Sequence, residues 1–174
     1  MQTRLLIRAA ARSDAGAVGA LRRAVLAEGR WFLSDPEEAF LSPEAVAEDL
    51  RALDQQPNSR VFVAWRGPAL AGVLWLRGGR LRRVAHETSL ELLVAAPERG
   101  QGVGRRLLRE GIAWAEGAPM VQRLALAVMA DNERAIALYR AHGFVQEGHR
   151  VGSVREADGR LRDDLLMARP TPGG

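Results

Sequence analysis

An α/β fold, with a mixed central sheet and helices on both faces, is predicted from three observations. Stretches of strand-like alternation and of helical spacing follow one another in the order β α α β β β α β α β β. Turn dipeptides, Gly67-Pro68, Gly78-Gly79 and Asp158-Gly159, separate the strands. The chain has 174 residues, 47% apolar and 26% charged, enough to bury a core without disulfide or metal staples. A sheet between two helical layers buries these faces most economically.

Each element has a local reason. Thr3–Arg8 reads as a first strand. Ser13 or Asp14 can cap a helix carrying Val18, Leu21 and Val25 at helical spacing. Residues 28–40 are irregular, with Trp31, Phe32 and Phe40 in a loop broken by Pro36. Ser42 and Pro43 suit the N-cap and first position of a helix with Val46, Leu50 and Leu53 on one face. Arg60–Trp65 and Leu70–Leu76 form a hairpin, and Val84–Val94 a longer strand that Pro97 ends. Gly100–Gly104 opens a helix bearing Val103, Leu107, Leu108, Ile112 and Ala115. Arg123–Met129 is a strand, and Asp131 can cap a helix with Ala135, Leu138 and Tyr139 on one side. Phe144–Val154 and Leu161–Ala168 make a closing pair of strands. Residues 1–169 are expected to form one domain and residues 170–174 a frayed tail.

Composition removes several chemistries. There is no cysteine, so thiolate metal sites, iron–sulfur clusters, disulfides and cysteine nucleophiles are excluded. His86, His142 and His149 lie too far apart for a zinc motif, so no metal is expected. All 25 basic residues are arginine, which explains an isoelectric point near 11.0 at a net charge of only +4. Without lysine, neither a Walker-A loop nor Schiff-base chemistry is available. The arginines are interleaved with acidic residues and aromatics are few, which argues against a nucleic-acid partner. No apolar run is long enough for a membrane span, and Met1–Arg8 lacks the apolar core of a signal peptide. A cytoplasmic protein with no membrane or nucleic-acid partner is expected.

The informative feature is the turn Arg99-Gly100-Gln101-Gly102-Val103-Gly104-Arg105 between a strand and a helix. Glycines there let a phosphate approach the main chain, and the helix start presents N–H groups and a positive dipole end to it. Arg99 and Arg105 add charge at the rim. Taken alone, such a turn more often only bends and caps. It is not a dinucleotide fingerprint, because Arg105 stands where GxGxxG has its last glycine and several strands precede it.

The stretch Leu90–Glu116, LELLVAAPERGQGVGRRLLREGIAWAE, resembles the acetyl-CoA-binding motif of the GNAT-type N-acetyltransferases, Q/R-x-x-G-x-G/A, filled by Arg99, Gly102 and Gly104. Leu124–Phe144, LALAVMADNERAIALYRAHGF, resembles the family's next motif: a strand, an Asn at a helix start, Ala-Ile-x-Leu-Tyr, then Gly-Phe. Ala27–Glu44 and Glu147–Arg169 look like the amino-acid and phosphinothricin acetyltransferase branch. The resemblance implies a mostly antiparallel sheet of six to seven strands and acetyl-CoA as co-substrate. Small dimers are common in that family, which makes a homodimer an open expectation.

The resemblance also implies roles. Leu92, Leu93 and Val94 would lend main-chain groups to the pantetheine arm, at an edge where the strand splays from its neighbour. An N–H there, that of Val94 or a neighbour, would polarise the thioester carbonyl. Gly100, Gln101, Gly102, Val103, Gly104 and Arg105 would hold the pyrophosphate. Asn132 would reach the pantetheine, although its residue type equally suits a helix cap. Tyr139, the one tyrosine, lies two turns beyond Asn132 and would touch the cofactor and protonate the departing thiolate; taken alone it reads more readily as a core residue with a rim hydroxyl, and the motif spacing reverses that.

One position departs from the pattern. Some members place a glutamate base where this chain has Ala127. The base is then a chain of water molecules or another residue; Glu87, Glu91 and His86 are candidates by location, and alternation puts both glutamates on one face. An α-amine of pKa ~7.8 is about one-seventh neutral at pH 7, whereas a lysine amine is neutral about once in two thousand. A site without a strong base therefore suits a free amino acid or similar amine better than a protein lysine. Trp31 and Phe32 are expected to line the substrate pocket, with Arg30 or Arg150 available to a carboxylate. The alternatives are acetylation of a protein N-terminus or lysine, and a non-catalytic acetyl-CoA sensor.

Overall fold

The computed structural model describes residues 4–34 and 42–172. The strands are β1 (Leu5–Ala9), β2 (Arg60–Arg66), β3 (Ala69–Gly78), β4 (Glu87–Val94), β5 (Arg123–Met129), β6 (Val145–Arg155) and β7 (Leu161–Pro170). The helices are α1 (Ala15–Leu26), α2 (Pro43–Asp54), α3 (Val103–Gly117) and α4 (Glu133–Arg140). The element order is the one predicted. The strands make one seven-stranded sheet in the order β1-β2-β3-β4-β5-β7-β6. Every pairing is antiparallel except β4 with β5, which α3 connects as a crossover.

Period-two alternation divides the sheet between two cores. Val61, Val63, Val73, Trp75 and Leu93 face α1 and α2, meeting Val18, Leu21, Val25, Val46, Leu50 and Leu53. Phe62, Ala64, Leu74, Leu76, Leu90 and Leu124 face the other way, onto Leu107, Leu108, Ile112 and Ala115 of α3 and Ile136 and Tyr139 of α4. Gly111 lets α3 lie directly on β3: a Cβ there would stand 2.4 Å from Leu74 Cδ2.

Several boundaries move, for local reasons. The third central strand begins at Glu87 rather than Val84, because residues 82–84 form a 3-10 turn. The buried Asn58 amide holds that connection by donating to the carbonyls of Gly79 (3.1 Å) and Ala85 (2.9 Å). Ser42 caps α2 through its bond from Ala45 N–H, as expected. Asn132, not Asp131, caps α4; Asp131 pairs instead with Arg162. Asp14 precedes α1 but makes no capping bond to it. Its carboxylate accepts from Ala11 N–H (2.7 Å) and from both terminal nitrogens of Arg8 (2.7 and 2.8 Å). Residues 170 and 171, expected in a frayed tail, are held in place. Pro170 ends β7, and Thr171 donates through its N–H to Gln122 O (2.9 Å) and through its hydroxyl to Val121 O (2.5 Å). Thr3, Pro36, Phe40 and residues 173–174 lie outside the described residues. No helix among the described residues is long and apolar enough to cross a membrane.

The Arg8 guanidinium holds Asp14 below the ordinary carboxylate value of 3.8. A carboxyl whose native pKa is depressed adds stability above its unfolded pKa and loses it as pH falls through the native one. Asp14→Asn should therefore cost about 1–2 kcal/mol at pH 7, the lower range because Arg8 is partly in solvent. Urea melts of both proteins should converge as the pH drops below that carboxylate value. A gap that persists unchanged in acid would assign the loss to shape rather than charge.

Candidate active site

The site begins where two strands part. β4 and β5 pair only through Glu87–Arg123, Thr88–Leu124 and Ser89–Ala125. β5 continues along β7 to Met129, while β4 stays with β3 to Val94. The bond from Ala95 N–H to Ala71 O (2.9 Å) sets the parity of the β3–β4 ladder. Ala95, Leu93 and Glu91 spend their main-chain groups on β3, so Leu92 and Val94 turn theirs toward the gap. Leu93 thus points its main chain away from the gap, and its side chain is buried with α1 and α2. A cleft of about 320 Å³ fills the wedge, with Leu90, Glu91 and Leu92 on one wall and Ala127, Val128, Met129, Asn132 and Tyr139 on the other.

The glycine turn lies beside the open strand, although none of its residues lines the cleft itself. Gly100 (φ 82°) and Gly102 (φ 80°) adopt left-handed conformations that favour glycine. A Cβ on Gly102 would meet nothing within 4 Å, and one on Gly100 only Arg134 Nη2 at 3.7 Å. The main chain there is open to an approaching group. Arg106 N–H to Gly102 O (3.1 Å) bonds back to the helix cap, so the N–H groups of Val103, Gly104 and Arg105 lead the first turn of α3. Gly104 sits 3.5 Å, by its would-be Cβ, from Leu92 Cδ2 and Val94 Cγ2, which sets the helix start against the open strand. These features fit an anion carried on an extended arm: helix N–H groups for the anion, a bare strand edge for the arm.

The side chains of the turn depart from expectation. Arg99 is engaged, donating from its terminal nitrogens to Glu28 (2.8 and 2.7 Å) and from Nε to Val94 O (3.1 Å). Gln101 folds back onto Pro97 O (2.7 Å), and Val103 is core. Arg105 is exposed at the rim. Arg134, which the sequence reading missed, stands beside Gly100 from the first turn of α4. Its only sequence signal is its place two residues after Asn132.

The structure separates the predicted acid and base candidates. Asn132 Oδ1 accepts from Ala135 N–H (3.2 Å), so the cap reading holds; its Nδ2 is the donor left over in a residue that also lines the cleft. Tyr139 lines the cleft, its ring edge-on to Phe144 at 5.7 Å. Burial raises its phenol well above the ordinary 10.0, and the Glu91 charge adds to the rise. Glu91 lines the cleft and pairs with Arg22 of α1 (3.2 Å). Glu87 is not among the residues that line the cleft. It lies in the paired part of β4, four residues or ~13 Å of strand from Glu91, and pairs with Arg123 (2.8 Å). His86 is exposed, and its carbonyl accepts from Gln122 N–H.

Trp31 and Phe32 line the cleft. Of the two predicted arginines, Arg150 is already engaged by a carboxylate. Arg30 covers the Trp31 ring at 4.5 Å, and Arg150 binds Asp164, a cleft-lining residue that sequence reasoning missed. The buried Asp164 also accepts from Ser153 Oγ (2.6 Å), and its carboxyl is held below the ordinary range chiefly by Arg150. Arg162 of β7 secures the aromatic loop: it donates to Arg30 O (2.8 Å), lies 5.5 Å from the Trp31 ring centre, and pairs with Asp131 and Glu156. No group of three or more metal-ligating side chains occurs among the described residues.

Residues 27–144 match the acetyltransferase (GNAT) family. Over 114 residues the chain is 38% identical to phosphinothricin N-acetyltransferase of Alcaligenes faecalis, a match covering 65% of this chain and 57% of that one. It thus spans little more than half of that relative. The crystal structure of the acetyltransferase of GNAT family from Streptococcus pneumoniae shares the fold at a TM-score of 0.91 and 28% identity, over 97% of this chain and 99% of that one. A GNAT superfamily phosphinothricin acetyltransferase from Sinorhizobium meliloti, solved in complex with AcCoA, shares it at 0.85 and 21% identity, over 98% and 90%.

Because Tyr139 is the only tyrosine, its ionisation can be followed by ultraviolet absorbance without assignment. The native protein should show little tyrosinate at pH 10, where the unfolded chain is half ionised. An ordinary titration curve in the folded protein would mean that the hydroxyl is in water.

Proposed function

The chain belongs to the acetyltransferase (GNAT) family, and from that premise we propose an acetyl-CoA-dependent N-acetyltransferase acting on a small primary amine, a free amino acid or a close relative of one. The observation that carries this reading is the open main-chain edge at Leu92 and Val94 lying against the unobstructed Gly100–Gly104 turn. Similarity to a phosphinothricin N-acetyltransferase supports an amino-acid-like acceptor. So does the absence of a glutamate at Ala127, which suits an amine that deprotonates readily.

The N–H groups of Val103, Gly104 and Arg105 would hold the diphosphate, with Arg105 and Arg134 supplying charge at the rim. The Leu92 and Val94 edge would hold the pantetheine arm as a neighbouring strand would, joined by Asn132 Nδ2. Acetyl-CoA, when bound, supplies a thioester carbonyl open to attack by an amine. Val94 N–H, on the open edge, is the donor placed to stabilise negative charge on that carbonyl oxygen. Glu91 accepts the proton that the attacking amine loses. Tyr139 offers its hydroxyl hydrogen to the departing sulfur; its raised pKa ensures that it enters each turnover protonated. The Glu91 carboxylate on one wall and the Tyr139 hydroxyl on the other thus serve distinct steps.

Thiol release with a panel of amino acids, peptides and polyamines tests the activity, with mass spectrometry to detect one added acetyl group. Turnover should be found among the free amino acids. Acetyl-CoA that binds tightly with no turnover on any amine would leave a sensor instead. Tyr139→Phe should lower kcat by about tenfold to a hundredfold with little change in KM. A rise in KM alone would make Tyr139 a packing residue. Gly102→Val should weaken acetyl-CoA binding by at least about tenfold, since a β-branched residue fits neither that backbone nor a bound phosphate. Unchanged affinity would move the diphosphate away from this turn.

A further inference from the structure

Arg22 is the one arginine among the described lining residues of the cleft, and the acetyl-transfer scheme gives it no direct task. It rises from α1, passes over the Trp75 ring at 5.5 Å and pairs with Glu91 at 3.2 Å. The pair is incomplete. Arg22 Nε and Glu91 Oε1 are both buried without a hydrogen-bond partner in the protein. Other atoms of both side chains stay accessible: Arg22 is 19% and Glu91 35% exposed, and both line the cleft. Asp164, the other lining carboxylate, is by contrast saturated by Arg150 and Ser153.

An incomplete ion pair in a cleft selects its ligand by charge. A simple cation satisfies Glu91 and is repelled by Arg22, and a polycation fares worse because Arg150 already neutralises Asp164. An ammonium and a carboxylate two bonds apart satisfy both partners when they align antiparallel to the pair. We propose that Arg22 is a specificity-determining residue which binds the carboxylate of an α-amino acid whose amine lies at Glu91. The inference rests on the acetyltransferase reading above. Arginine suits the task because it holds its charge and can grip a carboxylate with two N–H groups. Trp31 and Phe32, which line the same cleft, then face the acceptor's side chain.

The test compares leucine, phenylalanine, methionine and glutamate with their α-carboxamides, which keep the amine and shape but lose the negative charge. For at least one pair the wild-type protein should prefer the free acid by about tenfold or more in kcat/KM, the worth of a charge-assisted hydrogen bond. In Arg22→Gln that ratio should collapse toward one through a raised KM for the acid. Arg22→Lys, which keeps the charge, should retain part of the preference. Acetyl-CoA binding by each variant, followed by titration, confirms that it is folded. Equal use of acid and carboxamide by the wild type overturns the inference and leaves the acetyltransferase standing. An equal loss on both acceptors in Arg22→Gln also overturns it, reducing Arg22 to a support for Glu91. No turnover with any amine removes the enzymatic reading and this inference together.

Discussion

The main chain of a buried strand must find hydrogen-bond partners, and here β4 finds them on only one side beyond Ser89. That single failure of pairing governs the rest. Because β5 leaves β4 to follow β7, the sheet opens without losing its continuity at the base. The opening exposes main-chain groups of one parity, those of Leu92 and the N–H of Val94, whose carbonyl Arg99 takes. It also lets side chains from opposite faces of the sheet share one space: Glu91 belongs to the α1 face and Tyr139 to the α4 core, yet the Glu91 charge reaches the Tyr139 phenol.

The surrounding charge is held in pairs rather than as a field. Arg99 links the end of α1 to the start of the glycine turn by joining Glu28 to the Val94 carbonyl. Arg150 neutralises the one lining carboxylate that is fully buried. Arginine performs both tasks with several N–H groups at once, which a lysine ammonium cannot do in the same geometry. A chain without lysine also presents no side-chain amine of its own to a thioester held in its cleft.

Much of this was legible from local pattern. Alternation in Val61–Ala64 and Val73–Leu76 marked strands buried on both faces, and the spacing of Val18, Leu21 and Val25 marked one helix stripe. The seven-residue separation of Asn132 and Tyr139 placed both on the same side of α4, and both reach the cleft. What escaped was set by partners distant in sequence. Glu87 and Glu91 share a face, and only the point where β5 departs tells them apart. Arg99 looked free because Glu28 lies 71 residues away. Asp164 and Arg22 enter the cleft from β7 and α1, and nothing in their local sequence announces the meeting. Asp131 and Asn132 are equally good caps by type; the pull of Arg162 on Asp131 decides between them.

Arg162 has a wider consequence. It fastens the Trp31 loop, which follows the first helix, to the last strand and to Asp131 at the edge of α4. Two regions more than a hundred residues apart therefore shape this part of the cleft as one mechanical unit. A chimera that transplanted the aromatic loop without its β7 anchor would carry the right letters on an untethered frame. Changes in acceptor preference along a lineage should accordingly come as matched replacements in both regions.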